Sequence, residues 1–218
     1  MQTRVVRPEI LDTLSPDDPG AVANRRDLRF LNRFMGTWAW VSRRLREIRG
    51  ESMSILEAGA GEGDLGLYLL KKGVLRGSSD YTGLDLWGRP GRWPTGWNWR
   101  RCDLLKFEAD SLPQVFVSNL LLHQFEDDQL RHIGERLAGI PHWIICEPLR
   151  VPRSIWGLAL LRPFGLHPVS WHDGRVSIRA GFRKRELADL LDTGGSGRRF
   201  RVSEDPRGSY RLISWLEG

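Results

Sequence analysis

Apolar positions recur along this chain in two rhythms. Between residues 24 and 50, Leu28, Leu31, Phe34/Met35, Trp38, Val41, Leu45 and Ile48 return at helical spacing. The pattern predicts an amphipathic helix capped at Asn24, weakened in its middle by Gly36 and ended by Gly50. Its other face carries Arg26, Arg29, Arg33, Arg43 and Arg44, either as a phosphate-binding stripe or as a wet basic surface, and amphipathic packing favours the second. From residue 52 onward, short apolar runs alternate with amphipathic stretches. Strands are predicted at 53–57, 81–85, 97–102, 114–118 and 142–146, with helices at 65–72, 127–137 and 184–192. Strand, helix, strand in repetition implies a parallel sheet with right-handed crossovers and helices on both faces, an α/β fold.

The two ends depart from that rhythm. Residues 1–22 contain Pro8, Pro16, Pro19 and Gly20 without periodicity and read as an irregular arm. Near the other end, strands at 199–203 and 210–215 flank Asp205-Pro206-Arg207-Gly208, a turn tight enough to require an antiparallel hairpin. The organisation expected is an arm and helix over 1–50, capping the substrate side, and a ligand-binding domain over 51–218. An apolar insertion lies at about 150–182.

The most informative segment runs Ile55-Leu56-Glu57-Ala58-Gly59-Ala60-Gly61-Glu62-Gly63-Asp64-Leu65-Gly66. A strand meets a carboxylate, then glycines at alternate positions, then a helix. Glycine there allows φ values closed to other residues and lets a ligand approach the main chain. Two registers fit. Gly61, Gly63 and Gly66 spell GxGxxG with Asp85 about 20 residues on, the pattern of an NAD-dependent oxidoreductase. Glu57, Gly59, Gly61 and Gly63 spell ExGxGxG.

Composition narrows the classes of function. The net charge of +6 comes from arginine, because lysine occurs only at 71, 72, 106 and 184. The arginines are scattered rather than massed with aromatics, so a solvated surface is favoured; no DNA partner is expected and an RNA-directed, non-catalytic protein is a lesser alternative. Cys102 and Cys146 lack CxxC spacing and read as reduced residues of a cytoplasmic protein. Residues 1–8 lack the apolar core of a signal peptide, and no run of about 18 apolar residues predicts a membrane span. No metal is expected, since His123, His142, His167 and His172 form no ligand pair at helical spacing. Ten tryptophans, among them Trp87, Trp93, Trp97 and Trp171 in loop-like segments, fit either an aromatic ligand pocket or ordinary packing.

The ExGxGxG register resembles motif I of class I S-adenosylmethionine-dependent methyltransferases. Asp85 closes the second strand and Asp103-Leu104 the third, at the family's ribose- and adenine-binding positions, and the terminal hairpin is similar to the family's antiparallel seventh strand. The resemblance, over about 52–216, implies a Rossmann-like, seven-stranded, mostly parallel sheet with an N-terminal helical extension. It implies S-adenosylmethionine as cofactor, bound by Glu57, Ala58, Gly59, Gly61, Gly63, Asp85, Leu86, Asp103, Leu104, Asn119 and Leu120. Such a ligand carries a sulfonium, an ammonium and a ribose diol but no phosphate, which suits carboxylates at strand ends.

Ser118-Asn119-Leu120-Leu121-Leu122-His123 is similar to the family segment running beneath the methionine moiety toward the methyl acceptor. The Asn/Asp-Pro-Pro-aromatic tetrapeptide of amino-group methylation is missing there, which shifts the expectation to oxygen or carbon of a small molecule. His172-Asp173-Gly174, after the apolar insertion, looks like a bacterial subgroup acting on quinols, phenolic lipids and polyketides. On this reading His123 and His172 are candidate catalytic bases, with helix capping and a simple turn as their respective alternatives. Trp38, His123, Trp156, His172 and Asp173 are candidate acceptor-binding residues, and a lipophilic acceptor leaves room for contact with a membrane surface.

Overall fold

The computed structural model describes all residues except 2, 49–52, 76–79, 109–110, 193, 195–196 and 218. Its central strands are apolar on both faces because helices cover both. In β1 (Ile55–Ala58), Ile55 packs to one side and Leu56 and Ala58 to the other. In β4 (Val115–Asn119), Val115 and Val117 join the first side while Phe116 joins the second. The period of two thus splits the core into two layers. β2 (Tyr81–Asp85), β3 (Asn98–Arg101) and β5 (His142–Pro148) lie parallel to β1 and β4. β6 (Arg198–Glu204) and β7 (Ser209–Leu216) form the antiparallel hairpin, with β7 inserted against β5. The order is β3-β2-β1-β4-β5-β7-β6.

One layer is covered by α4 (Asp127–Leu137) and α7 (Glu186–Leu191), the other by α2 (Thr37–Glu47) and α3 (Asp64–Lys71). The expected single N-terminal helix is two. α1 (Pro19–Met35) is capped by Asp18, which accepts from the Gly20 N–H, with Pro19 at the first helical position. It ends at Gly36, whose φ of +65° is left-handed. Arg211 donates to the Met35 carbonyl at 2.8 Å, so the hairpin arginine satisfies a helix end that the break exposes. The break also divides the basic stripe, leaving Arg26, Arg29 and Arg33 on α1 and Arg43 and Arg44 on α2. The helix stop predicted at Gly50 lies outside the described residues.

Asn24 is no cap. It is buried inside α1 with Asp27 and Asn32, while Val22, Phe30 and Phe34 are exposed. α1 is held by polar contacts: Asp27 accepts from the His167 N–H at 2.8 Å and the Ser170 hydroxyl at 2.7 Å. The 150–182 insertion folds as α5 (Pro152–Leu160) and α6 (Pro168–Ala180), and His172-Asp173 sits within α6 rather than in a turn.

Candidate functional site

β1 runs left to β2 and right to β4 in the sheet, so the strand order reverses between β1 and β4, and the crevice beyond their carboxyl ends is where open α/β sheets bind ligands. The turn after β1 fills it. Gly59, Gly61 and Gly63 have φ of +69°, +51° and +75°, a region that favours glycine. A Cβ on Gly63 would meet Trp93 at 2.7 Å, whereas one on Gly61 would meet nothing within 4 Å. The turn is therefore packed from below and open where a ligand would lie.

Carboxylates surround this turn. Asp85, ending β2, accepts from the Gly61 N–H at 2.8 Å and the Trp87 N–H at 3.0 Å. Each carboxylate oxygen has a second lone pair, enough to receive a ribose diol. Asp103, just past β3, accepts from the Leu105 N–H at 3.0 Å and starts a short turn containing Leu104. Leu86 and Trp87 stand exposed beside Asp85. Glu57 is buried and accepts from the Tyr81 hydroxyl at 2.6 Å. Burial pushes its pKa up to about 8, against the Tyr81 hydrogen bond and with the help of Asp85 and Asp64. It is a neutral acid at neutral pH, poised to ionise when a cation arrives.

At the end of β4, Leu120 takes a φ of +60° that non-glycine residues rarely adopt. Beside it Asn119 donates to Asn32 of α1 at 2.9 Å, while its own buried carbonyl oxygen has no partner among the described residues. An orphaned acceptor beside a left-handed residue at the crevice fits a ligand donor such as an ammonium. Backbone freedom, open space at Gly61, acidic strand ends and this orphan together suit the donor-rich, phosphate-free cofactor expected.

His123 does not face an acceptor pocket as an open base. It is 3% exposed. Its Nδ1 lies 2.7 Å from Glu147 and its Nε2 3.2 Å from Glu9. Burial alone would lower its pKa, yet Glu147 and then Glu9 raise it to about 9, leaving an imidazolium that donates from both nitrogens. Glu9 is lowered despite burial by that same contact. Glu147 also accepts from the N–H groups of Leu121, Leu122 and His123, so it fixes the turn that carries Leu120. The Leu121 side chain in turn packs 3.1 Å from where a Cβ of Gly59 would stand.

Asp173 is likewise occupied: it accepts from the Ile10 and Leu11 N–H groups at 2.8 and 3.0 Å, tying down the arm, and each oxygen has a second partner, His172 Nδ1 at 3.0 Å and the Asn24 amide at 3.4 Å. That leaves no free oxygen edge for a substrate hydroxyl as expected. His172, 3.0 Å from Asp173, keeps a half-exposed side chain. Trp38 is core, 5% exposed and 5.6 Å from the Tyr68 ring, so it is corrected from acceptor contact to packing between α2 and α3. Trp156 is exposed on α5. Trp93 and Trp97 pack with Tyr81 beneath the glycine turn, and Trp171 lies in α6 against Arg162 and Arg175.

Five contributors escaped the sequence reading. Glu9 carries no local pattern, and its partner is remote in sequence. Asn32 sits among apolar positions of a helix. Arg25, Arg29 and Arg92 pair with Glu62 and Asp64 of the glycine turn; the acidic residues between the glycines were the available signal. Among the described residues no group of three or more His, Cys, Asp and Glu is placed to hold a metal.

No family model and no curated protein sequence matches the chain. Solved structures do. The chain is similar to the plantazolicin methyltransferase BpumL in complex with a monoazolic desmethylPZN analog and SAH, at TM-score 0.70 and 12% identity, covering 91% of this chain and 88% of that one. It is similar to the pyocyanin biosynthetic protein PhzM at TM-score 0.62 and 15% identity, covering 96% and 62%. With magnesium protoporphyrin IX methyltransferase (ChlM) from Synechocystis PCC 6803 the values are 0.53 and 14%, covering 86% and 84%. Sheet order and likeness agree: the chain has the Rossmann-like fold of the class I S-adenosylmethionine-dependent methyltransferases.

Proposed function

We propose that the protein is an S-adenosylmethionine-dependent methyltransferase that methylates oxygen or carbon of a lipophilic, hydroxylated aromatic small molecule. The observation that carries this reading is Asp85 bonded to the Gly61 N–H across the mouth of the β1–β4 crevice. Similar folds crystallised with SAH, and the desmethylPZN analog and magnesium protoporphyrin IX in their names, support it. S-adenosylmethionine would supply a methyl group already activated on a sulfonium. The protein's part is then alignment and exclusion of water. Asp85 would hold the ribose, Asp103 and Leu104 the adenine, and Glu57 with Asn119 the methionine end. The glycine turn, with Ala58 behind it and Leu86 and Leu120 at its flanks, would shape the bed.

With His123 committed to two carboxylates, His172 is the imidazole left to take a phenolic proton, oriented by Asp173 through Nδ1. Two rivals are weaker. A dinucleotide oxidoreductase reading has to accommodate an antiparallel strand between β5 and β6, where the usual dinucleotide order continues in parallel. An RNA reading has to use arginines such as Arg25, Arg29, Arg44 and Arg92 that already pair with carboxylates.

Calorimetric titration with S-adenosylhomocysteine tests the proposal. Binding is expected, and Asp85→Ala should weaken it about 10- to 100-fold, as loss of hydrogen bonds to a charged group does. Folded protein that ignores millimolar ligand, or binds NADH instead, would overturn it.

A further inference from the structure

α5 carries its apolar residues on the wrong side for a core helix. Ser154 and Leu158 face inward and are buried, one turn apart. Trp156 and Leu160, on the opposite face, are 73% and 71% exposed, and Phe164, in the short turn of residues 162–164 that follows the helix, is 83% exposed. Large apolar side chains in a contiguous exposed row mark a contact surface.

The charge around the row is one-sided. Between Pro148 and Phe182 the basic residues outside the core are Arg153, Arg162, Arg175 and Arg179, Arg150 being buried against Glu186, while the one acid, Asp173, is buried under the arm. Arg153 precedes Trp156 by less than a turn, and Arg162 stands between Leu160 and Phe164. Arg26 of α1 reaches the Gly165 carbonyl, next to Phe164 in the chain. A tryptophan-bearing apolar face with arginines at its edge has the chemistry of a helix lying in the plane of an anionic bilayer. Among the described residues no helix is long and apolar enough to cross one.

We propose that α5 and the turn after it, through Trp156, Leu160 and Phe164 with Arg153 and Arg162, dock this protein onto the surface of an anionic membrane. Docking there would set the 150–182 insertion, which leaves the carboxyl end of β5, against the lipid. The inference does not require methyl transfer, so its fate and that of the proposed activity separate.

The test is co-sedimentation of the full chain with vesicles of phosphatidylcholine and phosphatidylglycerol in equal parts, and with phosphatidylcholine alone. Binding to the mixed vesicles, weakened by salt, is expected. Trp156→Ser/Phe164→Ser should lower the partition coefficient at least about tenfold, and Arg153→Gln or Arg162→Gln about fivefold each on anionic vesicles only. These positions are exposed, so the variants should fold, which circular dichroism checks. No sedimentation with mixed vesicles, or sedimentation unchanged in the double variant, would overturn the proposal. Light scattering that shows a dimer of the parent chain, dissociated by Trp156→Ser/Phe164→Ser, would overturn it in favour of an interface between two copies.

Discussion

Glu9→Gln removes one of the two charges that hold the buried His123 imidazolium. The rise of the His123 pKa from 6.5 to about 9 corresponds to about 3–4 kcal/mol of folding free energy, at about 1.4 kcal/mol per pH unit. Because the folded pKa lies above the unfolded one, that contribution is complete below pH 6.5 and vanishes as pH climbs through 9. The Glu9 carboxylate is the weaker of the two partners, at 3.2 Å against 2.7 Å for Glu147. Its neutralisation should lower the His123 midpoint by about one pH unit or more and remove about 1.5–2 kcal/mol of stability at pH 6.

Two measurements check this: the His123 ring proton shift followed by NMR from pH 5 to 10, and urea unfolding of both proteins at pH 6 and pH 9. The stability gap should close toward pH 9. Comparing parent and variant cancels the contribution of Glu57, whose raised pKa likewise removes stability as pH rises from 4.5 through about 8. The arm should also loosen, with faster amide exchange at Ile10 and Leu11, which Asp173 now holds. A His123 midpoint unmoved in Glu9→Gln, or a stability gap independent of pH, would refute the reasoning.

Glu57 offers a second test: an ammonium-bearing ligand should draw off its proton, so S-adenosylhomocysteine binding at pH 7 should release close to one proton in calorimetry across buffers of different ionisation heat, and Glu57→Gln should release none. Gly63→Ala forces a side chain into a left-handed position 2.7 Å from Trp93; a loss of about 1–3 kcal/mol is expected by denaturant unfolding, and near-native stability would show that Trp93 yields. Asn32→Ala unties Asn119 from α1 and should cost about 1–3 kcal/mol in the same assay; no loss would mean that solvent replaces the bond.

The sheet was legible because its strands obey local rules. Predicted strand 81–85 coincides with β2 and predicted helix 127–137 with α4, where periodicity and flanking polar residues agree. The acidic residues closing β1 and β2 were legible because apolar residues precede each, whereas Asp103, after Arg100-Arg101-Cys102, was legible only through the family resemblance. What escaped depended on partners far along the chain. The α1–α2 break needed Arg211 as well as Gly36. α6 looked irregular because Gly174, Val176 and Ile178 are poor helix residues, yet His167 caps it and Asp173 ties it to the arm. His123 invited a catalytic reading, since neither Glu9 nor Glu147 is near it in sequence. Trp38 illustrates the reverse error, an aromatic chosen for a pocket that the α2–α3 contact consumes.

The remote anchoring of the arm has a consequence during synthesis. Glu9 and His123 are separated by 114 positions, and Ile10 waits for Asp173 across 163. The ribosome therefore delivers the arm and α1 well before their receptors. Until α6 emerges, the buried polar residues of α1, Asp27 among them, have nothing to dock on. The arm and α1 stay unsealed until the residues that receive them have been made, so their docking is a late, long-range event in folding.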